Sequence, residues 1–410
     1  MNSVSQGSDH ASSGNVHNPD IIISFDKANS HKIPFPPVGF CRLSRLDQLA
    51  KAEIEALSLF NFSFYTILIN LFEEGWKDEF RKANSEAKGL KIPLQVILHF
   101  GFDIETEIKD FIELCNSIFP FVEEVILMQK DHHVTPPGLL HKVLSSLREG
   151  LHHVKIGVGG FRSLEEIVQQ KPDLTEADFL TIPFQTGIHP ETLNDTQFDT
   201  KHQIEQVHSL KSISHSVDIY VTPMSLNAGL TYLAADPSVL FVPVNKIVSY
   251  LAASGKAISD FKSLIFSGVN SISFYENGGK TEVFTADHSS TSLEKINSIP
   301  FFYLLREVLE MNNGFIIKAA NSCPSDVDSF VFTAGGKVKV MLINLTQDVQ
   351  KVVLTGISMH ARIINHDSTS IKEALVSTGG KTENTGHEIN FLHGNANIEL
   401  QPYGIALIHE

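Results

Sequence analysis

Between residues 36 and 311 the chain repeats one step: a short apolar, β-branched or aromatic run, then a segment of helical spacing. The runs are Pro36–Leu43, Phe62–Leu71, Pro93–Phe100, Glu123–Gln129, Val154–Gly159, Asp178–Gln185, Asp218–Leu226 and Ser271–Glu276. Helical spacing marks Lys51–Phe60, Trp76–Leu90, the stretch from Asp103 to about Phe119, Lys201–Ile213 and Pro300–Met311. Their starts carry helix signals: Asp103 is a capping residue, Pro136-Pro137 suits a first turn, and Ser163-Leu-Glu-Glu166 is a capping box. Strands that alternate with helices must pair in parallel, and eight such units match a (β/α)8 barrel. A doubly wound open sheet alternates too, but no Gly-rich fingerprint follows the first strand. The expected barrel spans residues 35–313.

After residue 313 the pattern changes. Phe315–Ala320, Ser329–Thr333, Lys337–Leu345, Lys351–Leu354, Arg362–Asn365 and Asn397–Leu400 are short strands split by Gly, Asn, Asp and Ser turns. This predicts a small antiparallel β-sandwich over residues 314–410, packed on the barrel's side. Residues 1–34 read as a disordered or extended lead-in. They show no basic start and no apolar core of a signal peptide, which points to a cytoplasmic protein.

A net charge of -15 without a basic stripe argues against nucleic-acid and anionic-membrane partners. No run approaches the length of a membrane span. Cys41, Cys115 and Cys323 stand far apart without a CxxC pair, so neither a zinc knuckle nor a disulfide framework is indicated. No cofactor is implied, and oligomeric state is not legible.

A barrel keeps its chemistry at the carboxyl ends of its strands. Glu276 ends the eighth run, just before Asn277-Gly-Gly279. The other strand ends offer Arg42, Arg45, Asn70, His99, Gln129, Asp131, His132, His133, Arg162, Gln185, His189, Ser225 and Asn227. This amide-rich set could hydrogen-bond the hydroxyls of a sugar-like ligand, although strand ends facing water collect polar residues anyway. His132-His133 resembles a metal pair, but adjacent histidines on a loop diverge, so no metal site is expected. Gly157-Val-Gly-Gly160 could cradle a phosphate; the simpler reading is a tight turn that needs glycine. No Gly-x-Ser-x-Gly elbow is present, so hydrolysis would require a base-activated water. A glycosidase needs two facing carboxyls. Glu276 is one, and Glu166, Glu165 and Asp131 are the candidates for the other.

Several stretches resemble the D-apionate lactonase family: Ala52–Leu57, Gly75-Trp76, Ser163–Pro172, Thr181–Gln185, Val221–Leu226, Ser273–Glu276, Ile343–Thr346 and Pro402-Tyr403. Members look like glycosidase barrels with a small β domain behind, and no counterpart of the family's further amino-terminal β domain is expected in these residues. The resemblance implies a hydrolase that opens a sugar-acid lactone or ester. Glu276 would be general base or nucleophile, helped by Glu166 and His99. Gln185, Asn227, Gln129, Ser225 and His189 would bind a small carbohydrate or sugar-acid substrate. The chain departs from the family where Thr66 and Leu68 stand for arginine and aspartate, Val168 and Gln169 for asparagine and arginine, Gly187 for histidine unless His189 substitutes by a shift of two, and Asn227 for arginine. Lost arginines remove strong donors. Two alternatives therefore stand beside the hydrolase: an inactive barrel that binds a sugar or protein, and a glycoside hydrolase using Glu276 and a second carboxylate.

Overall fold

The computed structural model describes residues 20–42, 48–49, 51–186, 196–214, 217–225, 247–276, 300–357, 360–366, 387–390 and 395–410. Two strands open it, β1 (Ile21–Ser24) and β2 (Lys32–Pro34). The barrel strands follow: β3 (Val38–Arg42), β4 (Phe64–Asn70), β5 (Leu94–Phe100), β6 (Val122–Gln129), β7 (Lys155–Gly159), β8 (Phe179–Gln185), β9 (Asp218–Ser225) and β10 (Ser271–Glu276). Each pairs in parallel with the next, and β10 returns to β3, which closes the barrel. Between them run α1 (Lys51–Leu57), α2 (Trp76–Leu90), α3 (Ile104–Ile118), α4 (Leu139–Gly150), α5 (Leu164–Gln170), α6 (Thr196–Ile213) and α7 (Ile247–Phe266). α8 (Pro300–Leu309) ends the barrel. The expected (β/α)8 barrel is what the chain forms. Among the described residues no helix is long and apolar enough to cross a membrane.

Side-chain alternation sorts the strands into two layers. Val96, Leu98 and Phe100 face the helices, while Ile97 joins Cys41, Ile126, Met128, Phe161, Phe179 and Tyr220 inside the barrel. Phe179 fills that interior so fully that a Cβ on Gly157 would lie 2.1 Å from its ring. Gly159 has φ +149°, and a Cβ there would lie 1.9 Å from the Thr181 carbonyl oxygen. These glycines are needed for close approach, as the turn reading expected. The N–H groups of a phosphate cradle are also spent. Gly159 donates to Thr135 Oγ1 at 2.9 Å and Gly160 to the Thr181 carbonyl at 3.2 Å.

The carboxyl-terminal region forms two sheets from β11 (Phe315–Ile317), β12 (Ala320–Asn321), β13 (Val327–Ala334), β14 (Lys337–Asn344), β15 (Gln350–Thr355), β16 (His360–His366), β17 (His387–Asn390), β18 (Asn395–Leu400) and β19 (Ile405–His409). The seven-stranded sheet runs β17-β16-β19-β14-β13-β11-β2, and the four-stranded sheet β12-β1-β15-β18. They share one apolar core, with Ile23, Val352 and Ile398 meeting Val331, Val340 and Ile408.

Two expectations change here. Residues 1–34, read as a disordered or extended lead-in set apart from the two regions, contribute the extended strands β1 and β2 to these sheets. The smaller sheet is not purely antiparallel, because β1 joins β15 in parallel. Both strands are very short, and their partners lie some three hundred residues away in sequence. No local periodicity announces them.

The outer face of the larger sheet packs on α7 and α8. Phe261 of α7 stands 6.0 Å from Phe35 and 6.1 Å from Phe330, ring centre to ring centre. Lys339 of β14 reaches Glu307 of α8 at 2.8 Å, and both are buried.

Candidate functional site at the barrel mouth

The carboxyl end of the barrel gathers the candidate residues into separate groups. β4, β5 and β6 hold the first. Asn70 and His99 are register partners at adjacent strand ends, and Asn70 Oδ1 lies 2.8 Å from His99 Nδ1. The imidazole is buried, and Phe72 meets it edge-on at 5.1 Å. Burial pushes its pKa below the ordinary histidine value. A hydrogen bond to the Gln129 backbone and the Asp131 carboxylate oppose that shift without cancelling it. His99 is therefore a neutral ring fixed by Asn70 at pH 7.

Gln129 lies beside this pair, but its side-chain amide donates to the Gly101 carbonyl at 3.3 Å. It braces the loop after β5. That loop and the one after β6 are further tied by Lys130, whose N–H donates to the Phe100 carbonyl at 2.7 Å. The Lys130 ammonium sits 5.1 Å from the centre of the Phe72 ring and 5.9 Å from that of Phe102.

A second group lies beyond β7. Ser163 Oγ caps α5 by accepting the Glu166 N–H at 3.1 Å. The Glu166 carboxylate does not return to Ser163 as a capping box would have it. It meets the Arg162 guanidinium at 3.4 Å, and Arg162 also reaches His133 Nε2 at 2.9 Å. Of the two adjacent histidines, His133 thus faces Arg162, and His132 is exposed.

Gln185 and Ser225 are register partners on β8 and β9. The Gln185 backbone is clamped by the Gln203 amide of α6, at 3.2 Å and 3.1 Å. Ser225 is buried, and its hydroxyl is 3.5 Å from the Phe184 carbonyl. Glu276 ends β10 in register with Arg42 of β3. Its side chain, and the positions of His189 and Asn227, lie outside the described residues. Arg42 is committed elsewhere: its guanidinium lies 3.0 Å from both carboxylate oxygens of Glu86, in α2.

Four bulky residues bear on whether the mouth is open. Phe161 packs with the interior cluster, and Met128 joins it from the end of β6. Phe184 and Met224 belong instead to the layer between sheet and helices. The register irregularity of β9 before Met224 accounts for its outward turn. Deeper in the barrel, Thr66 bonds Gln95 and Ser273 at 2.9 Å each, and Gln95 donates to Glu124 at 2.7 Å. Burial raises the Glu124 pKa. This polar layer was invisible in sequence, because a single acid in an apolar strand looks like a solvated one.

Residues 38–232 match the family described as D-apionate lactonase, TIM barrel domain. No curated protein matches the sequence. Among solved structures, a glycoside hydrolase family 30 endoxylanase from Clostridium papyrosolvens C71 is 12% identical, with a TM-score of 0.60 over 95% of this chain and 99% of that one. A family 44 endoglucanase from Clostridium thermocellum is 9% identical, with a TM-score of 0.54 and the same coverage. A conserved exported protein from Bacteroides fragilis is 9% identical, with a TM-score of 0.56 over 96% of this chain and all of that one. At such identities the likeness is one of fold. Over residues 38–232, from β3 through β9, the chain is thus D-apionate lactonase-like, within a glycosidase-type (β/α)8 fold.

Proposed function

We propose that the protein is a carbohydrate-acting hydrolase that opens a sugar-acid lactone or ester at the carboxyl mouth of the barrel. The match over residues 38–232 carries this reading. It ends before Glu276, so the role of that residue rests on its place at the end of the last barrel strand. Glu276 acts as general base and takes a proton from water as the water oxygen attacks the ester carbonyl. The tetrahedral adduct collapses, the carbonyl carbon–ring oxygen bond breaks, and the leaving oxygen takes the proton held by Glu276 to give the hydroxy acid. His99 assists as a neutral ring. Asn70 and the Gln129 backbone hold that ring in place at the end of β5. Gln185, Asn227, Ser225 and His189 bind hydroxyls, whereas Gln129, expected among them, is spent on the Gly101 carbonyl. Glu166 holds Arg162.

The test is a panel of aldonolactones and sugar-acid esters followed by proton release. Wild type turns over at least one, and Glu276→Gln loses about a hundredfold or more. Equal rates for the two proteins would refute the assignment. The acid side of the kcat/KM profile should fall off below the ordinary histidine value of 6.5, since burial lowers the His99 pKa.

One observation favours a second reading, a barrel that binds a sugar without hydrolysing it. Thr66 is spent on Gln95 and Ser273, and Leu68 packs on the interior cluster, where the family resemblance implies arginine and aspartate. Sugar binding with no turnover across the panel would establish it. The glycosidase alternative ranks lower, because Arg162 already engages the Glu166 carboxylate.

A further inference from the structure

On the rim of the mouth, Phe102 is 74% exposed although it follows a fully buried strand. The loop that carries it is braced on both sides. Gly101 N–H donates to Glu107 Oε2 at 2.7 Å, the Gly101 carbonyl receives the Gln129 amide, and Asp103 caps α3. The ring is thus presented to solvent on a fixed support. Lys130 stands over it and over Phe72, and Phe72 touches His99. The contacts run without a break from the exposed ring to the candidate catalytic histidine.

We propose that Phe102, Phe72 and Lys130 form a sugar-binding subsite that stacks the apolar face of a neutral sugar ring. The substrate would then be larger than a single lactone ring, carrying a further sugar unit that rests on the rim. This rests on the carbohydrate reading above and adds the extent and charge of the ligand. A sugar ring has one face of C–H groups and an edge of hydroxyls. The face covers Phe102 and removes its apolar surface from water. The hydroxyls meet the Lys130 ammonium as donor and the Asp131 carboxylate as acceptor. Those two charges are adjacent in sequence and cancel, and His99 is neutral, so the rim offers no net attraction to an anion. Asp103 and a chain charge of -15 disfavour one further.

Binding of methyl β-D-glucopyranoside, cellobiose and D-gluconate is measured by saturation-transfer NMR and titration calorimetry. Wild type, Phe102→Ala, Lys130→Ala and Phe119→Ala are compared. Phe119 is 81% exposed at the end of α3, on the opposite face of the barrel, and serves as the control. The neutral sugars should bind wild type and Phe119→Ala equally. They should bind Phe102→Ala about tenfold more weakly, the effect of losing one stacked face. Gluconate should bind no better than the neutral sugars. Because Phe102 is exposed, its replacement should leave the melting temperature unchanged. The subsite is overturned if Phe102→Ala binds like wild type, if gluconate is preferred tenfold, or if wild type binds none of the three. Sugar binding without turnover of any lactone leaves the subsite and removes the hydrolase. Turnover that is identical in wild type and Phe102→Ala on every substrate removes the subsite alone.

Discussion

Glu86→Ala should cost the protein about 3–5 kcal/mol, although Glu86 lies outside every candidate site. Its carboxylate is nearly inaccessible, at 3% of its side-chain surface, and accepts from three directions. Arg42 approaches both oxygens at 3.0 Å, the Tyr65 hydroxyl one of them at 2.7 Å, and the Leu49 N–H the other at 2.7 Å. The network joins α2 to the last residue of β3, to the start of β4, and to the segment that follows β3. Truncation removes the counter-charge from a guanidinium that is only 8% exposed, and takes the acceptor from two buried donors. Glu86→Gln keeps the shape and one acceptor oxygen but turns an NH2 toward donors, so it should fall between wild type and alanine. Urea unfolding at constant m is the measurement. A midpoint for Glu86→Ala that corresponds to less than 1 kcal/mol of loss would show that the network is not a structural anchor of this barrel end.

Arg42 also shows why strand ends mislead when read one residue at a time. In sequence it is a cation at the mouth of the barrel and so a candidate for substrate. Its position after Phe40 puts it on the helix-facing side, since Phe40 packs with Phe62 and Tyr65 outside the barrel and Cys41 points inward. Gln129 follows the same logic beside inward-facing Met128. His99, two residues after inward-facing Ile97, falls on the other side and reaches Asn70. Strand identity was legible because buried parallel strands read as unbroken apolar runs, as in Leu94–Phe100, where every residue is buried. The side that each terminal residue faces depends on register, which a run of uniform hydrophobicity does not display.

α7 escaped for a related reason. It buries Leu251, Ala257, Ile258, Phe261, Leu264 and Ile265, and Gly255 approaches Ile343 of the β domain on its far side. A helix covered on two sides has no broad polar face, so the 3.6-residue pattern that marks a surface helix is weak. β19 was missed as well. It lies between β14 and β16 in the larger sheet, where every residue but the last is buried and no alternation shows.

Removing residues 1–34 should destabilise the protein more than any single substitution, because this segment supplies a strand to each of the two carboxyl-terminal sheets. β1 pairs on one side with β15 and on the other with β12, so its loss uncovers two strand edges. Ile21, Ile23 and Phe25 leave the shared core, at about 1.5–3 kcal/mol for each buried side chain. β2 takes the outer edge of the seven-stranded sheet, beside β11. The Lys27–Glu410 ion pair, which ties the segment to the chain end, goes with it. The sum is comparable to the whole stability of an ordinary domain. The truncated chain should therefore be largely insoluble, or should melt more than 10 °C lower by the usual scaling of about 2–4 °C per kcal/mol. Ile23→Asp separates core loss from the act of cutting. It keeps the chain length and places a carboxylate at a site with no exposure. Both variants should lose stability together. A truncated protein whose melting temperature stays within a few degrees of wild type would mean that β1 and β2 decorate the sheets and do not complete them.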